Sequence, residues 1–192
     1  MLKLILNKKY NPLFSSEARY FIITGGRGSG KSFAATVFLT LLTMTKGIRI
    51  LFTRFTMTSA HLSIIPEFLE KIGLLGFDEV FSINKSEVLN TSNQSDILFR
   101  GIRTSAGNQT ASLKSLQGIS TWVLDEAEEL VDENIFDTID LSIREKNIHN
   151  RVVLILNPVT KEHWIYKRFF EDKGVEGGFN GFKDNVCYIH TS

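Results

Sequence analysis

Residues Gly25-Gly26-Arg27-Gly28-Ser29-Gly30-Lys31-Ser32 carry the spacing Gly-x-x-x-x-Gly-Lys-Ser, which suits closing backbone N–H groups around phosphate oxygens. Glycine reaches backbone angles that other residues resist, so the loop can fold tightly against an anion. Lys31 brings a point charge to the terminal phosphates of a nucleoside triphosphate. Ser32 offers a hydroxyl to a magnesium ion. A helix opening at this point aims its positive end at the same anion. The flanks suit the motif. Tyr20 to Thr24 is a short apolar run that ends at the loop and reads as a strand. Phe33 to Thr45 reads as a mostly apolar helix, stopped by Lys46-Gly47. A dinucleotide fingerprint fits poorly, because the glycine spacing differs and no acid ends the next strand near Phe52-Thr53.

A second cluster complements the first. Ser120-Thr-Trp-Val-Leu-Asp125-Glu126 is an apolar run ending in two acids. Taken alone it fits a strand running into an acidic helix start, Asp125 to Glu129, where carboxylates favour the helix dipole. Downstream of a complete phosphate loop it reads as a Walker B strand. Asp125 then holds magnesium, and Glu126 orients and deprotonates a water for attack on the γ-phosphate. A base aimed at water serves a hydrolase and is useless to an enzyme that passes phosphate to another substrate.

The elements that must position these groups alternate. The chain has 192 residues, enough for one domain with a large core, and 43% of them are hydrophobic. A net charge of +1 gives no whole-surface argument for nucleic acid, so any such contact has to be local. Cys187 is the only cysteine, which rules out an internal disulfide, and it reads as a buried small hydrophobe. The start, Met1 to Asn7, is too short and too polar in its flanks for a signal peptide, and no apolar run reaches membrane length. A cytosolic protein is expected. Gly47 to Thr53 reads as a strand, Met57 to Ile72 as a helix despite Pro66, and Val80 to Phe99 as small antiparallel strands or a hairpin. Thr104 to Gly118 reads as a long polar loop. A helix is expected from Glu133 to Arg144, a buried strand at Arg151 to Leu156, and a short helix at His163 to Phe170. Trp164 and Phe169 are assigned to the core, Gly174 to Gly181 to a loop, and Asn185 to His190 to a last strand. Strands separated by helices imply an α/β fold with a mainly parallel central sheet, helices on both faces, and ligand at the carboxyl ends of the strands.

The order of motifs resembles the large terminase subunit of tailed bacteriophages, specifically its ATPase half. The resemblance rests on Gly-Gly-Arg-Gly-Ser-Gly-Lys-Ser, Phe52-Thr-Arg54, Leu-Lys114-Ser115 with Gly118, Trp122 to Leu130 with its Asp125-Glu126-Ala-Glu-Glu, and Leu156-Asn157-Pro158. It covers nearly the whole chain. It implies a P-loop NTPase of the RecA-like class, forming a single ATPase domain over residues 1–192. The closing Tyr188 to Ser192 looks like the handover to the family's nuclease domain, which these residues do not contain. The implied activity is Mg²⁺-dependent ATP hydrolysis that drives double-stranded DNA into a procapsid, with ATP and Mg²⁺ as cofactors and no DNA cleavage by this chain. The implied partners are DNA, a portal protein, a small terminase subunit and further copies of the chain in a pentameric ring, with a monomer allowed for the isolated chain. The implied location is the host cytoplasm at the portal, away from any membrane.

The resemblance also adds roles for single residues. Arg27 becomes a charge sensor over the phosphates within the subunit, against an ordinary loop arginine. Asn157 becomes a coupling residue that senses the γ-phosphate, on a strand beside the phosphate-loop strand, against a plain Asn-Pro turn. Arg54, Arg100 and Arg103 are candidates for an arginine finger offered in trans, each competing with an ordinary surface charge. Tyr10, Asn11 and Phe14 are candidates for adenine contact. Two other functions stay open at this point: a nucleic-acid-stimulated helicase or recombinase of the same class, and a nucleotide-gated assembly module with little turnover. The Asp125-Glu126 pair argues against the second.

Overall fold

The computed structural model describes residues 4–57, 60–104 and 107–191. Met1–Lys3, Thr58, Ser59, Ser105, Ala106 and Ser192, which several expected elements include, lie outside the described residues. Among the described residues ten strands form one sheet: β1 Tyr20–Gly25, β2 Arg49–Thr56, β3 Phe81–Ile83, β4 Glu87–Asn90, β5 Asp96–Thr104, β6 Gly107–Asn108, β7 Thr121–Asp125, β8 Arg151–Leu156, β9 Gly181–Lys183 and β10 Val186–Thr191. Their order is β3-β4-β5-β2-β7-β8-β1-β10-β9, with β6 paired to β5. The six strands from β5 to β10 along that order are mutually parallel, and β3, β4, β6 and β9 join antiparallel at the margins. Parallel strands buried on both faces read as continuous apolar runs, as β7 and β8 do.

Side chains alternate across a strand, and the two faces build two cores. Phe21, Ile23, Phe52, Val123, Val153 and Ile155 face helices α2 Lys31–Leu42 and α3 Ala60–Leu75, together with Leu13 of the short helix α1 Pro12–Ser15 and Tyr10 just before it. Ile22, Leu51, Trp122, Leu124, Leu154 and Tyr188 face the other way. They pack on α4 Thr110–Lys114, α5 Glu133–Asp140 and α6 Trp164–Tyr166, which runs on into a π-helical turn at Lys167–Glu171. Trp164 and Phe169 are core residues, and Cys187 is buried, with its thiol pushed up to about 12 by desolvation. No helix among the described residues is long and apolar enough to cross a membrane.

The expected α/β architecture holds, with local corrections. β2 runs on to Thr56 rather than stopping at Thr53. β5 belongs to the main sheet, because it pairs parallel with β2 as well as antiparallel with β4. The polar stretch expected as a loop from Thr104 to Gly118 contains β6 and α4, since Leu113 and Leu116 pack with Ile102 and Ile119. α5 ends at Asp140, four residues early, and Gly181 opens β9 rather than closing a loop. Pro66 sits inside α3 on an exposed position.

Candidate active site

Because β1, β2, β7 and β8 run parallel, their carboxyl ends meet at one edge of the sheet. Pairing of Asp125 with Ile155, and of Thr24 with Leu156, sets the Walker B end, Asn157 and the phosphate loop side by side. One open pocket of about 390 Å³ results, lined by Arg27 to Phe33, Arg54, Asp125, Glu126, Glu128, Ile155, Leu156 and Asn157. The sequence-predicted groups Arg27, Gly28, Ser29, Gly30, Lys31, Ser32, Asp125, Glu126 and Asn157 therefore share one cavity.

The loop leaves β1 at Gly25. A Cβ there would lie 2.1 Å from the Thr191 carbonyl oxygen, so only glycine lets β10 and the loop approach this closely. Gly30 caps α2 with φ 83°, a left-handed conformation that glycine takes at no steric cost. Tyr10 braces the loop from behind: its hydroxyl donates to the Ser29 carbonyl at 3.1 Å and bonds Thr191 Oγ1 at 3.1 Å. Its ring is buried, so it supports the loop and presents no stacking face for adenine. Phe14 is half exposed and packs edge-on against Phe38.

Lys31 folds back over its own loop. Its ammonium donates to the Gly25 carbonyl at 2.5 Å, the Gly26 carbonyl at 2.9 Å and Asn157 Oδ1 at 3.4 Å. Desolvation lowers its pKa, while Glu128 and Asp125 pull the other way. Arg27 is exposed on the pocket's rim.

Across the pocket, Asp125 is buried at the end of β7, and Arg54 reaches it from β2. Arg54 Nε and Nη2 donate to the same Asp125 oxygen at 2.8 and 2.7 Å, and Glu126 lies 3.6 Å from Nε. Desolvation raises the pKa of Asp125, and the guanidinium beside it partly offsets that. Thus Arg54, one of three candidates for an arginine offered in trans, is engaged by Asp125 of its own chain. Arg100 donates to the Ser86 and Phe99 carbonyls, and Arg103 is exposed at the end of β5; neither lines the pocket.

Glu126 turns the chain out of β7 in a left-handed conformation, φ 52° and ψ 46°. Such backbone is costly for a residue with a Cβ and concentrates at functional sites. It swings the carboxylate into the pocket, where desolvation raises its pKa. The turn that follows is anchored by Trp164, whose indole N–H donates to the Leu130 carbonyl at 2.5 Å. Glu128, which in sequence is only part of an acidic helix start, also enters the pocket and accepts from Asn157 Nδ2 at 2.6 Å.

The donors suit a magnesium ion. Ser32 and Asp125 line both the main pocket and a smaller cavity, and their side chains offer hard oxygen ligands. The Arg54 guanidinium on Asp125 shows that the carboxylate draws a cation to this spot. Among the described residues no group of three or more His, Cys, Asp or Glu could hold a metal ion, so the rest of a coordination shell falls to phosphate and water.

The chain's shape is shared with solved structures. It is similar to the large terminase of a thermophilic bacteriophage, with TM-score 0.74 and 12% identity over 98% of this chain and 46% of that one. The Thermus phage P74-26 large terminase ATPase domain matches with TM-score 0.66 and 16% identity over 97% of this chain and 80% of that one. The HK97 bacteriophage large terminase gives 0.67 and 12% over 94% and 40%. The chain thus spans about half the length of the thermophilic phage protein. At these identities the likeness carries the fold, which is the P-loop fold expected. No curated protein matches significantly. The family model for the phage terminase large subunit matches residues 17–192, which takes in every pocket residue named above, and the chain belongs to that family.

Proposed function

We propose that the chain binds ATP with Mg²⁺ in this pocket and hydrolyses it to drive double-stranded DNA into a viral procapsid, at the portal in the host cytoplasm. The observation that carries this is the convergence of Lys31 and Ser32 with Asp125 and Glu126 in one cavity, in a member of the terminase family. The large terminase of the thermophilic phage has been solved with ADP and with ATP-γ-S, which supports nucleotide binding in this fold.

In this reading the backbone of Gly25 to Gly30 wraps the phosphates, and Lys31 exchanges its two loop carbonyls for phosphate oxygens. Ser32 and Asp125 hold the metal, which when bound neutralises charge on the phosphate oxygens. Arg54 then gives up Asp125. Glu126 takes a proton from water as its oxygen attacks the γ-phosphorus; the bond to ADP breaks and inorganic phosphate leaves. Arg27 bridges two oxygens where charge builds in the transition state, a fork that lysine cannot reproduce. Asn157 senses the γ-phosphate and couples it to movement. An arginine from a neighbouring copy in a ring, with Arg54, Arg100 and Arg103 as the candidates, completes the site. The portal and a small terminase subunit are the other partners.

Phosphate release measured for the chain alone, with duplex DNA, and with DNA and portal tests this. Slow hydrolysis alone that rises on DNA and portal assembly is expected. Full-speed hydrolysis by dilute monomer, independent of concentration, would contradict the shared site, and strand separation would favour a helicase.

A further inference from the structure

The Asn157 amide lies between two opposite charges. Its Oδ1 faces the Lys31 ammonium at 3.4 Å, and its Nδ2 donates to Glu128 Oε1 at 2.6 Å. Turning the amide over would set its N–H groups against an ammonium and its oxygen against a carboxylate, so this orientation is fixed. In this arrangement the Nδ2 donor that a phosphate oxygen would take is turned toward Glu128. Glu128 takes one of the amide's two N–H groups and sets the direction of the other.

Besides the Asn157 N–H, the Glu128 carboxylate feels the charge of Lys31. Its second oxygen, Oε2, is buried without a hydrogen-bond partner among the described residues. A carboxylate in that position depends on the one donor it has. Its backbone leads onward. The Glu128 carbonyl faces His163 Nε2 at 3.1 Å, and a carbonyl only accepts, so Nε2 carries the proton. His163 Nδ1 is then the acceptor, and it takes the Ile165 N–H at 3.2 Å as the cap of α6. The helix that starts there is tied to α5 through Arg168, which pairs with Asp137 at 2.6 Å and Glu133 at 3.1 Å.

We infer that Glu128 is a positioning residue that competes with the nucleotide's terminal phosphate for the Asn157 amide N–H, so that the phosphate releases Glu128 and the change passes through His163 to the helix Trp164–Glu171. The inference rests on the ATP reading of the pocket. ADP draws Lys31 without presenting that phosphate, so the device tells ATP from ADP. Removing Glu128 leaves the amide free to turn toward phosphate.

The test is calorimetric titration of ADP and of ATP-γ-S into the wild-type chain, Glu128→Ala, Glu128→Gln, Asn157→Ala and the double variant Glu128→Ala/Asn157→Ala. Glu128→Ala is expected to raise the preference for ATP-γ-S over ADP roughly tenfold, the size of one charge-assisted hydrogen bond. Glutamine still accepts from Asn157 but without charge, so Glu128→Gln is expected to raise it about threefold. That variant carries the test if alanine prevents folding. In the Asn157→Ala background the gain disappears. Amide hydrogen exchange across Trp164–Glu171 should respond to ATP-γ-S but not to ADP in the wild type, and to neither in Glu128→Ala. Equal changes in both affinities, or a gain that survives Asn157→Ala, would overturn the inference. A wild-type chain that binds neither nucleotide would overturn the reading beneath it.

Discussion

Removing Arg54 should expose how strongly the fold depends on a charged partner for Asp125. The Asp125 side chain is 6% exposed and that of Arg54 22%, and one carboxylate oxygen takes both guanidinium bonds. Without the guanidinium the acid is either a buried unpaired anion or must hold a proton. Breaking a buried ion pair by deleting one partner costs about 3–5 kcal/mol. Arg54 is partly open to water, and discounting for that gives roughly 2–3 kcal/mol. In a chain of this length that lowers the melting temperature by about 4–12 °C. The pH dependence has a definite sign. Burial already holds the Asp125 pKa above the usual carboxylate range, and loss of Arg54 lifts it further. Protonation therefore removes the penalty, and Arg54→Ala should lose more stability at pH 8 than at pH 5. Adding Asp125→Asn should restore most of it, because no charge is left to pair. Scanning calorimetry in EDTA at both pH values is the assay. A drop under about 2 °C at pH 8, or a double variant no more stable than Arg54→Ala, would refute the reasoning.

Gly25→Ala should cost more than about 3 kcal/mol, because the new Cβ meets a backbone carbonyl at 2.1 Å, whereas Gly26→Ala, with nothing within 4 Å, should cost under about 1. Urea denaturation compares the two, and similar losses would contradict the close-approach argument. The rate should fall on the acid side at a pH above the usual carboxylate range, because Glu126 must be deprotonated to act and its pKa is raised by desolvation. A profile of kcat against pH checks this, and an acid limb within that range would count against Glu126 as the base.

The parts of the site legible in sequence are those written locally. Gly25 to Ser32 and Asp125-Glu126 announce themselves because loop, strand and charge are contiguous. Arg54 stands out as a candidate in the sequence, but as a group offered to a neighbouring molecule. Its own-chain role depends on β2 continuing to Thr56 and lying beside β7, a matter of strand order that spacing does not carry. Glu128 hides in a run of acids, because its direction follows from the left-handed turn at Glu126. Polar composition conceals α4, although Leu113 and Leu116, three apart, are the signal that it has a buried side. Tyr10 shows as an aromatic near the loop, but only the fold reveals that its hydroxyl, not its ring, faces the loop.

The central claim is that one pocket both binds ATP and activates water against it. The most direct measurement is ATP binding and single-turnover hydrolysis by Glu126→Gln beside Lys31→Ala. Glu126→Gln should bind ATP as the wild-type chain does while hydrolysis slows roughly 10²-fold or more, and Lys31→Ala should not bind. Hydrolysis by Glu126→Gln at the wild-type rate would contradict the account.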